Sequence, residues 1–125
     1  MSEPICFLNG EYTPLHEARI PVLDRGFIFG DGVYEVVPVY GGRLFRIDEH
    51  LSRLQRSLAK LRIPEPATPA QWLERCRHLV GTMPAGTDSV IYLQVTRGVA
   101  PRAHEMPANI VPTVFMMINP MKPVP

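Results

Sequence analysis

Arg102 and His104 stand two positions apart in a segment broken by glycine and proline. In an extended backbone, residues at that spacing point the same way. An arginine fork matches a carboxylate bidentately, and an imidazole beside it adds a further donor. The pair therefore suits a small anionic ligand. A loop tied down by an internal ion pair is the structural alternative, and spacing alone leaves both readings open. Other reactive residue types are less suggestive. Cys6 falls in an apolar strand segment and Cys76 on an apolar helix stripe, so both read as packed thiols. No Cys/His pair has zinc-like spacing. Gly30-Asp31-Gly32 precedes a strand rather than a helix, which excludes a dinucleotide or P-loop fingerprint. Arg53 lies about 120° from the centre of its helix's leucine stripe, so spacing makes it a solvated charge. His50 and His78 read as surface residues of helices on the same grounds.

The elements that carry these residues follow from local pattern. Ile5 to Leu8 is a short apolar strand, Asn9-Gly10 is a two-residue hairpin turn, and Glu11 to Thr13 returns antiparallel. His16 to Phe29 reads as a loop leading into Gly30-Asp31-Gly32. Val33 to Tyr40 is β-branched and aromatic, hence a strand. Tyr34, Val36, Pro38 and Tyr40 share one face of it, and Val33, Glu35, Val37 and Val39 the other. Pro38 cannot donate to a ladder and belongs at an edge or bulge. Gly41-Gly42 turns the chain into a return strand, Arg43 to Arg46. The period then becomes helical. Ile47, Leu51, Leu54, Leu58 and Leu61 form one stripe, with Asp48 as expected N-cap. Thr68-Pro69-Ala70-Gln71 is a capping box with proline at the first helical position. It opens a second helix whose stripe is Trp72, Leu73, Cys76, Leu79, Val80 and Met83. Ser89 to Thr96 is a strand. Thr113 to Ile118 is a further strand, apolar enough to be central and buried on both faces. Hairpin-linked strands with two consecutive helices predict an α+β two-layer sandwich, a mostly antiparallel sheet with both helices on one face.

Composition limits the rest. The 125 residues suit one domain, and 13 Lys+Arg against 12 Asp+Glu leave a net charge of +1. That balance gives no polybasic surface for nucleic acid or membrane. Two cysteines make no disulfide framework. The start of the chain lacks the basic and apolar regions of a secretory signal, and the expectation is a reduced, cytoplasmic protein.

Asp24 to Val37, through Asp24-Arg25-Gly26 and Gly30-Asp31-Gly32-Val33-Tyr34-Glu35, resembles the N-terminal signature of the fold type IV (class IV) pyridoxal-phosphate enzymes. The likeness continues through Asp48-Glu49-His50-Leu51-Ser52-Arg53-Leu54. It returns in Gln94-Val95-Thr96-Arg97-Gly98 and in Pro101-Arg102-Ala103-His104, the last run being most similar to the D-amino-acid aminotransferase branch. The resemblance spans nearly all of residues 5 to 119. It implies that Arg53 binds the phosphate of pyridoxal 5'-phosphate, against the reading from spacing. It implies that Tyr34, Arg102 and His104 bind the substrate α-carboxylate, with Val36 beside Tyr34. In that branch the arginine-histidine loop comes from a neighbouring subunit, which implies a homodimer. Gly30 and Gly32 would shape a turn.

The family's Schiff-base lysine lies in a C-terminal domain, and this sequence holds only Lys60 and Lys122. Lys60 lies about 140° from the centre of the apolar stripe, hence exposed. Lys122 follows Pro120 and precedes Pro123 and Pro125. The expectation is therefore an N-terminal domain over residues 1–119 and the start of an interdomain linker over 120–125. The lysine domain would be absent from the chain, and no catalytic residue would lie within it. Such a chain would be a truncated form, a proteolytic remnant or an incomplete gene product, inactive alone. The parent enzyme would move an amino group between a D-amino acid and a 2-oxo acid. A branched-chain aminotransferase or aminodeoxychorismate lyase is the alternative within the family. A stand-alone, non-catalytic binding module is the alternative outside it.

Overall fold

Asn9 and Gly10 take φ of 48° and 94°, the left-handed pair that a tight hairpin needs. They join β1 (Ile5–Leu8) to β2 (Glu11–Pro14). The computed structural model describes residues 3–105, 107 and 109–122. The expected linker residues 123–125 lie outside that range. β3 (Gly32–Tyr40), β4 (Arg43–Leu44), β5 (Ser89–Thr96) and β6 (Thr113–Pro120) complete one six-stranded sheet. Its order is β2-β1-β6-β5-β3-β4, and every pairing is antiparallel.

The strand period divides the sheet into two unlike faces. Val37 and Val39 of β3, Ile91, Leu93 and Val95 of β5, and Val114, Met116 and Ile118 of β6 are all buried. They form one cluster with Leu51, Leu54 and Leu58 of α2 (Ile47–Leu61) and Trp72, Cys76 and Leu79 of α3 (Pro69–Gly81). Each such side chain contributes about 1.5–3 kcal/mol on burial, so this face carries the domain's stability. Tyr34, Val36, Tyr40, Tyr92, Gln94, Phe115 and Met117 look the other way and stay partly or largely open. The α+β two-layer sandwich expected from sequence is the observed fold.

Several local expectations need correction. Residues 16–29 are not all loop: Leu15–Glu17 is a 3₁₀ turn and Arg25–Phe29 is a short helix, α1. The buried Asp24 caps it. Its Oδ1 accepts from the Gly26 N–H at 2.8 Å and from Thr96 Oγ1 at 2.7 Å, and its Oδ2 accepts from Thr113 Oγ1 at 2.6 Å. One carboxylate thus ties α1 to the ends of β5 and β6. Gly30 ends α1 in the left-handed conformation, φ 64°. Gly32 then crosses so close to β5 that a Cβ would sit 2.6 Å from the Val95 carbonyl oxygen.

The strand after Gly41-Gly42 stops at Leu44, not Arg46. Arg46 turns the chain at φ 53° into α2 and is its N-cap, so Asp48 lies in the first turn instead. Pro38 is tolerated because the short β4 runs out beside it. Its carbonyl still accepts from the Phe45 N–H at 2.9 Å. β6 is central, but Phe115 and Met117 on its open face are only half-buried. The capping box of α3 is present, with both Thr68–Gln71 hydrogen bonds. Among the described residues no helix is long and apolar enough to cross a membrane.

Candidate functional site

Adjacent residues of β3 serve opposite faces of the sheet. Tyr34 projects onto the open face, 64% exposed, stacked on Tyr92 with ring centroids 5.7 Å apart. The Tyr92 hydroxyl donates to Gln94 Oε1 at 2.9 Å, and burial raises its pKa, helped by the neighbouring Tyr34. Val36 follows on the same face at 40% exposure. Beside these side chains a cavity of about 410 Å³ is lined by Leu8, Phe27, Gln94 and Phe115.

Glu35 points under the helices and is 4% exposed. A carboxylate there must be paired, because an unpaired buried charge is expensive. Arg53 of α2 meets it with a two-pronged fork, Nε to Oε2 and Nη2 to Oε1, both at 2.8 Å. His50, one helical turn earlier, donates from Nδ1 to Oε1 at 2.8 Å. Burial pushes the Glu35 carboxyl up, but the bonds and charges of Arg53 and His50 outweigh that and hold it below the usual range. Its hydrogen bonds and charge contact with Glu35 raise the Arg53 pKa in turn. The Arg53 side chain is nevertheless 60% exposed. Its fork is fixed on one edge, and the rest of the guanidinium faces solvent. Arg46, Glu49, His50, Arg53 and Arg56 line a shallow cavity of about 340 Å³ there. Three arginines against one glutamate, with one guanidinium already oriented, fit a phosphate.

Spacing therefore placed Arg53 correctly at the surface but missed what it does there. His50 is corrected from surface to half-buried, because Glu35 binds it. His78 is exposed as expected and stacks on Tyr12. Lys60 is exposed on α2, and Lys122 is exposed past β6. Cys6 and Cys76 are free, buried thiols. Burial pushes Cys6 up and Cys76 to about 12, so neither is poised as a nucleophile.

Arg102 and His104 are exposed on the loop between β5 and β6. Among the described residues no ion pair holds that loop. Arg25 donates from Nη1 to the Ala103 carbonyl at 3.0 Å, and the His104 ring lies 5.9 Å from that of Phe29. Among the described residues, no hydrogen bond or ring contact joins Tyr34 to Arg102, His104 or Arg53.

Sequence reasoning missed Glu35, Arg25 and Asp31. Asp31 Oδ2 accepts from Arg97 Nε at 2.6 Å and from Arg25 Nε at 3.0 Å. Burial raises its pKa, but these two arginines together hold it below the usual carboxylate range. The available signal was Glu35 itself, one charge among three valines on a strand face destined for the core.

The sequence and the fold are similar to those of known proteins. Residues 32–125 match the family model for amino-transferase class IV. The D-alanine aminotransferase of Bacillus licheniformis is 40% identical over 114 residues, covering 91% of this chain and 40% of that protein. That of Staphylococcus haemolyticus is 38% identical over 110 residues, covering 88% and 39%. The chain thus spans about 40% of the length of these curated relatives. Among solved structures, the branched-chain amino acid aminotransferase of Escherichia coli superposes with a TM-score of 0.87 at 22% identity, over 96% of this chain and 40% of that one. The 4-amino-4-deoxychorismate lyase of Pseudomonas aeruginosa gives 0.77 at 28% identity, over 96% and 41%. A hypothetical aminotransferase of Mycobacterium tuberculosis, in its PLP-bound form, gives 0.75 at 23% identity, over 93% and 39%. With the family model covering three quarters of the sequence and the fold shared throughout, this chain belongs to the class IV aminotransferases.

Proposed function

We propose that this chain is the cofactor-phosphate and substrate-carboxylate half of an enzyme that moves an amino group between a D-amino acid and a 2-oxo acid. The observation that carries the reading is Arg53, anchored on buried Glu35 with donors left to solvent. That is an anion receptor built before its anion arrives. Identity with D-alanine aminotransferases and the Arg102-Ala103-His104 loop support the D-amino-acid branch.

Pyridoxal phosphate supplies the electron sink for this chemistry when bound. The chain's own residues would hold and orient. Arg53 binds the phosphate, its fork on Glu35 fixing the guanidinium plane. Arg102 and His104 bind the α-carboxylate, with the Tyr34 hydroxyl as a further donor. The loop bearing them acts on the open face of a second copy, in a homodimer. Neither Lys60 nor Lys122 serves as the reactive lysine. Residues 1–119 form one domain, and 120–125 begin a linker. A further domain supplies the lysine, the acid facing the pyridine nitrogen and most of the phosphate contacts. The exposure of Tyr34 and Val36 supports a covered face rather than a stand-alone binding module. The complete enzyme works in the cytoplasm.

Residues 1–125 alone are expected to be inactive. Micromolar retention of a cofactor needs about 8 kcal/mol, which one solvated arginine cannot supply. The test mixes the purified chain with pyridoxal phosphate, removes the excess, and records bound cofactor and D-alanine turnover. Retained cofactor with turnover sinks the expectation. For the complete enzyme, D-alanine and a 2-oxo acid are the expected substrates. Activity confined to L-branched-chain amino acids, or pyruvate released from aminodeoxychorismate, would transfer the protein to the other branches.

A further inference from the structure

Between Arg102 and His104 lies Ala103, and its carbonyl is the point at which the loop is held. Upstream, the loop is well tied: Asp24 bridges Val99, Arg25 N–H donates to the Gly98 carbonyl at 2.8 Å, and Ala100 N–H to that of Leu23 at 3.4 Å. From 101 to 105, among the described residues, the bond from Arg25 Nη1 to the Ala103 carbonyl is the one hydrogen bond to the rest of the chain. Arg25 is itself immobilised. It is 5% exposed, and its Nε donates to Asp31 Oδ2 at 3.0 Å. Its guanidinium carbon stands 4.7 Å from the Phe29 ring centroid, and Phe29 is the ring beside His104.

We infer that Arg25 is a positioning residue for substrate recognition: it fixes the Arg102–His104 loop through the Ala103 carbonyl and the Phe29 ring. The inference rests on the reading of Arg102 and His104 as carboxylate-binding residues. Arginine suits this role where lysine does not. Its planar fork bonds Asp31 along one edge, reaches Ala103 with another nitrogen, and lays its flat side on Phe29. A lysine ammonium is a single point and cannot keep that geometry. The loop side chains are exposed and flexible by type, so the cost of ordering them falls on the substrate unless the backbone is already fixed. Asp31 and Arg97 lie behind Arg25, so the turn around Gly30 and Gly32 is coupled to the recognition loop.

The test compares wild type with Arg25→Met and Arg25→Lys. Backbone nitrogen NMR relaxation on the 125-residue chain reads the loop directly. The order parameters of residues 102–105 are expected to fall in both variants toward the range of flexible backbone, below about 0.6, with β5 and β6 unchanged, because the hydrogen bond that holds this backbone is the one accepted at the Ala103 carbonyl. Unchanged loop order parameters overturn the inference. Kinetics on the complete enzyme read the consequence. KM for D-alanine is expected to rise about tenfold in Arg25→Met, with much smaller changes in kcat and in cofactor retention. Combined with Arg102→Ala and His104→Ala together, Arg25→Met should add no further rise in KM, because it acts through the two residues already removed. Additive losses would mean general damage and overturn the inference. If Arg102→Ala raises KM and Arg25→Met does not, the positioning role fails while the carboxylate reading stands. If Arg102→Ala itself leaves KM unchanged, the carboxylate reading fails and takes the inference with it. Should the Arg25 variants not fold, Phe29→Leu carries the same comparison, with a smaller shift in the same direction.

Discussion

Asp31 and Glu35 lie four residues apart, and each is clamped by two basic side chains. The Asp31 clamp is closed. Its arginines, Arg97 and Arg25, are 2% and 6% exposed. Arg97 uses its remaining nitrogens on the carbonyls of Leu61 and Arg62, at the C-terminal end of α2. There the positive charge also meets the negative end of the helix dipole. Every bond of the cluster goes to a group of the chain itself, and together they join α1, the residue before β3, the residue after β5, the end of α2 and the loop at Ala103. The Glu35 clamp is open: the carboxylate is as buried, but Arg53 stands mostly in water. The same pairing chemistry therefore serves architecture when all three groups are enclosed, and presents a fixed cation when one is left outside.

The largest expected effect comes from breaking the closed clamp. Asp31→Asn leaves two buried guanidiniums without a counter-charge. A loss of about 3–5 kcal/mol is expected in urea unfolding of the chain, the usual cost of orphaning a buried ion pair. A loss below about 1 kcal/mol, typical of exposed pairs, would place Asp31 with the surface pairs.

Acid titrates both clamps together. The Asp31 and Glu35 carboxyls are held below their ordinary values, near 3.9 and 4.3 in unfolded chains. Their contribution is thus fully present above about pH 4–5, and is lost as pH falls through the depressed folded values. Urea midpoints measured from pH 6 down to pH 2 should fall steadily in the lower half of that range. The slope should be shallower in Asp31→Asn, which has one such carboxyl fewer. An identical slope in the variant would mean that Asp31 does not contribute to it.

These clamps mark where the sequence stopped being legible. What local pattern controls was readable. Asn9-Gly10 set its hairpin, Thr68 and Gln71 their capping box, and the leucines of 47–61 their buried stripe. Helix α1 was not, because five residues that include Gly26 and end at Gly30 show no period, and its cap, Asp24, is fixed by Thr96 and Thr113 far along the chain. The clamps join residues up to 66 positions apart, which no local window reads. Arg102 and His104 stood out by type and spacing as an anion-binding pair, whereas Arg53 and Tyr34 were singled out through family resemblance. Periodicity had put Arg53 in solvent, which is true of its position but silent about its anchor. Glu35 was visible as a charge on a core-facing strand, a sign that some cation must come to it.

Removing Arg53 tests the open clamp from its exposed side. In Arg53→Ala the buried Glu35 keeps His50 as partner and loses the fork. Its carboxyl pKa should move up, since burial now meets less opposition. Carbon NMR of the glutamate carboxyl groups against pH would show the shift. The destabilisation should be smaller than in Asp31→Asn, because Glu35 can take up a proton while buried guanidiniums cannot shed theirs. A Glu35 titration unmoved by the substitution would show that the fork does not set its ionisation.

Glu35→Gln should affect the fold least of all. The glutamine keeps the shape and one acceptor oxygen, and Arg53, already in water, regains hydration where its partner was. What changes is the arginine's freedom. In the wild type its Nε–H is held on Glu35 Oε2 at 2.8 Å, so that side-chain proton should exchange slowly with water. A single amide oxygen cannot accept both Nε and Nη2 in the same parallel pair, and the charge assistance is gone. The Arg53 Nε–H signal in an NMR spectrum should weaken through faster exchange in Glu35→Gln. The Nε–H signals of Arg25 and Arg97, both on Asp31, should persist in the same spectrum as internal controls. If Arg53 stays as protected as Arg97, its orientation comes from the helix alone, and Glu35 is then only a buried charge that needed a partner.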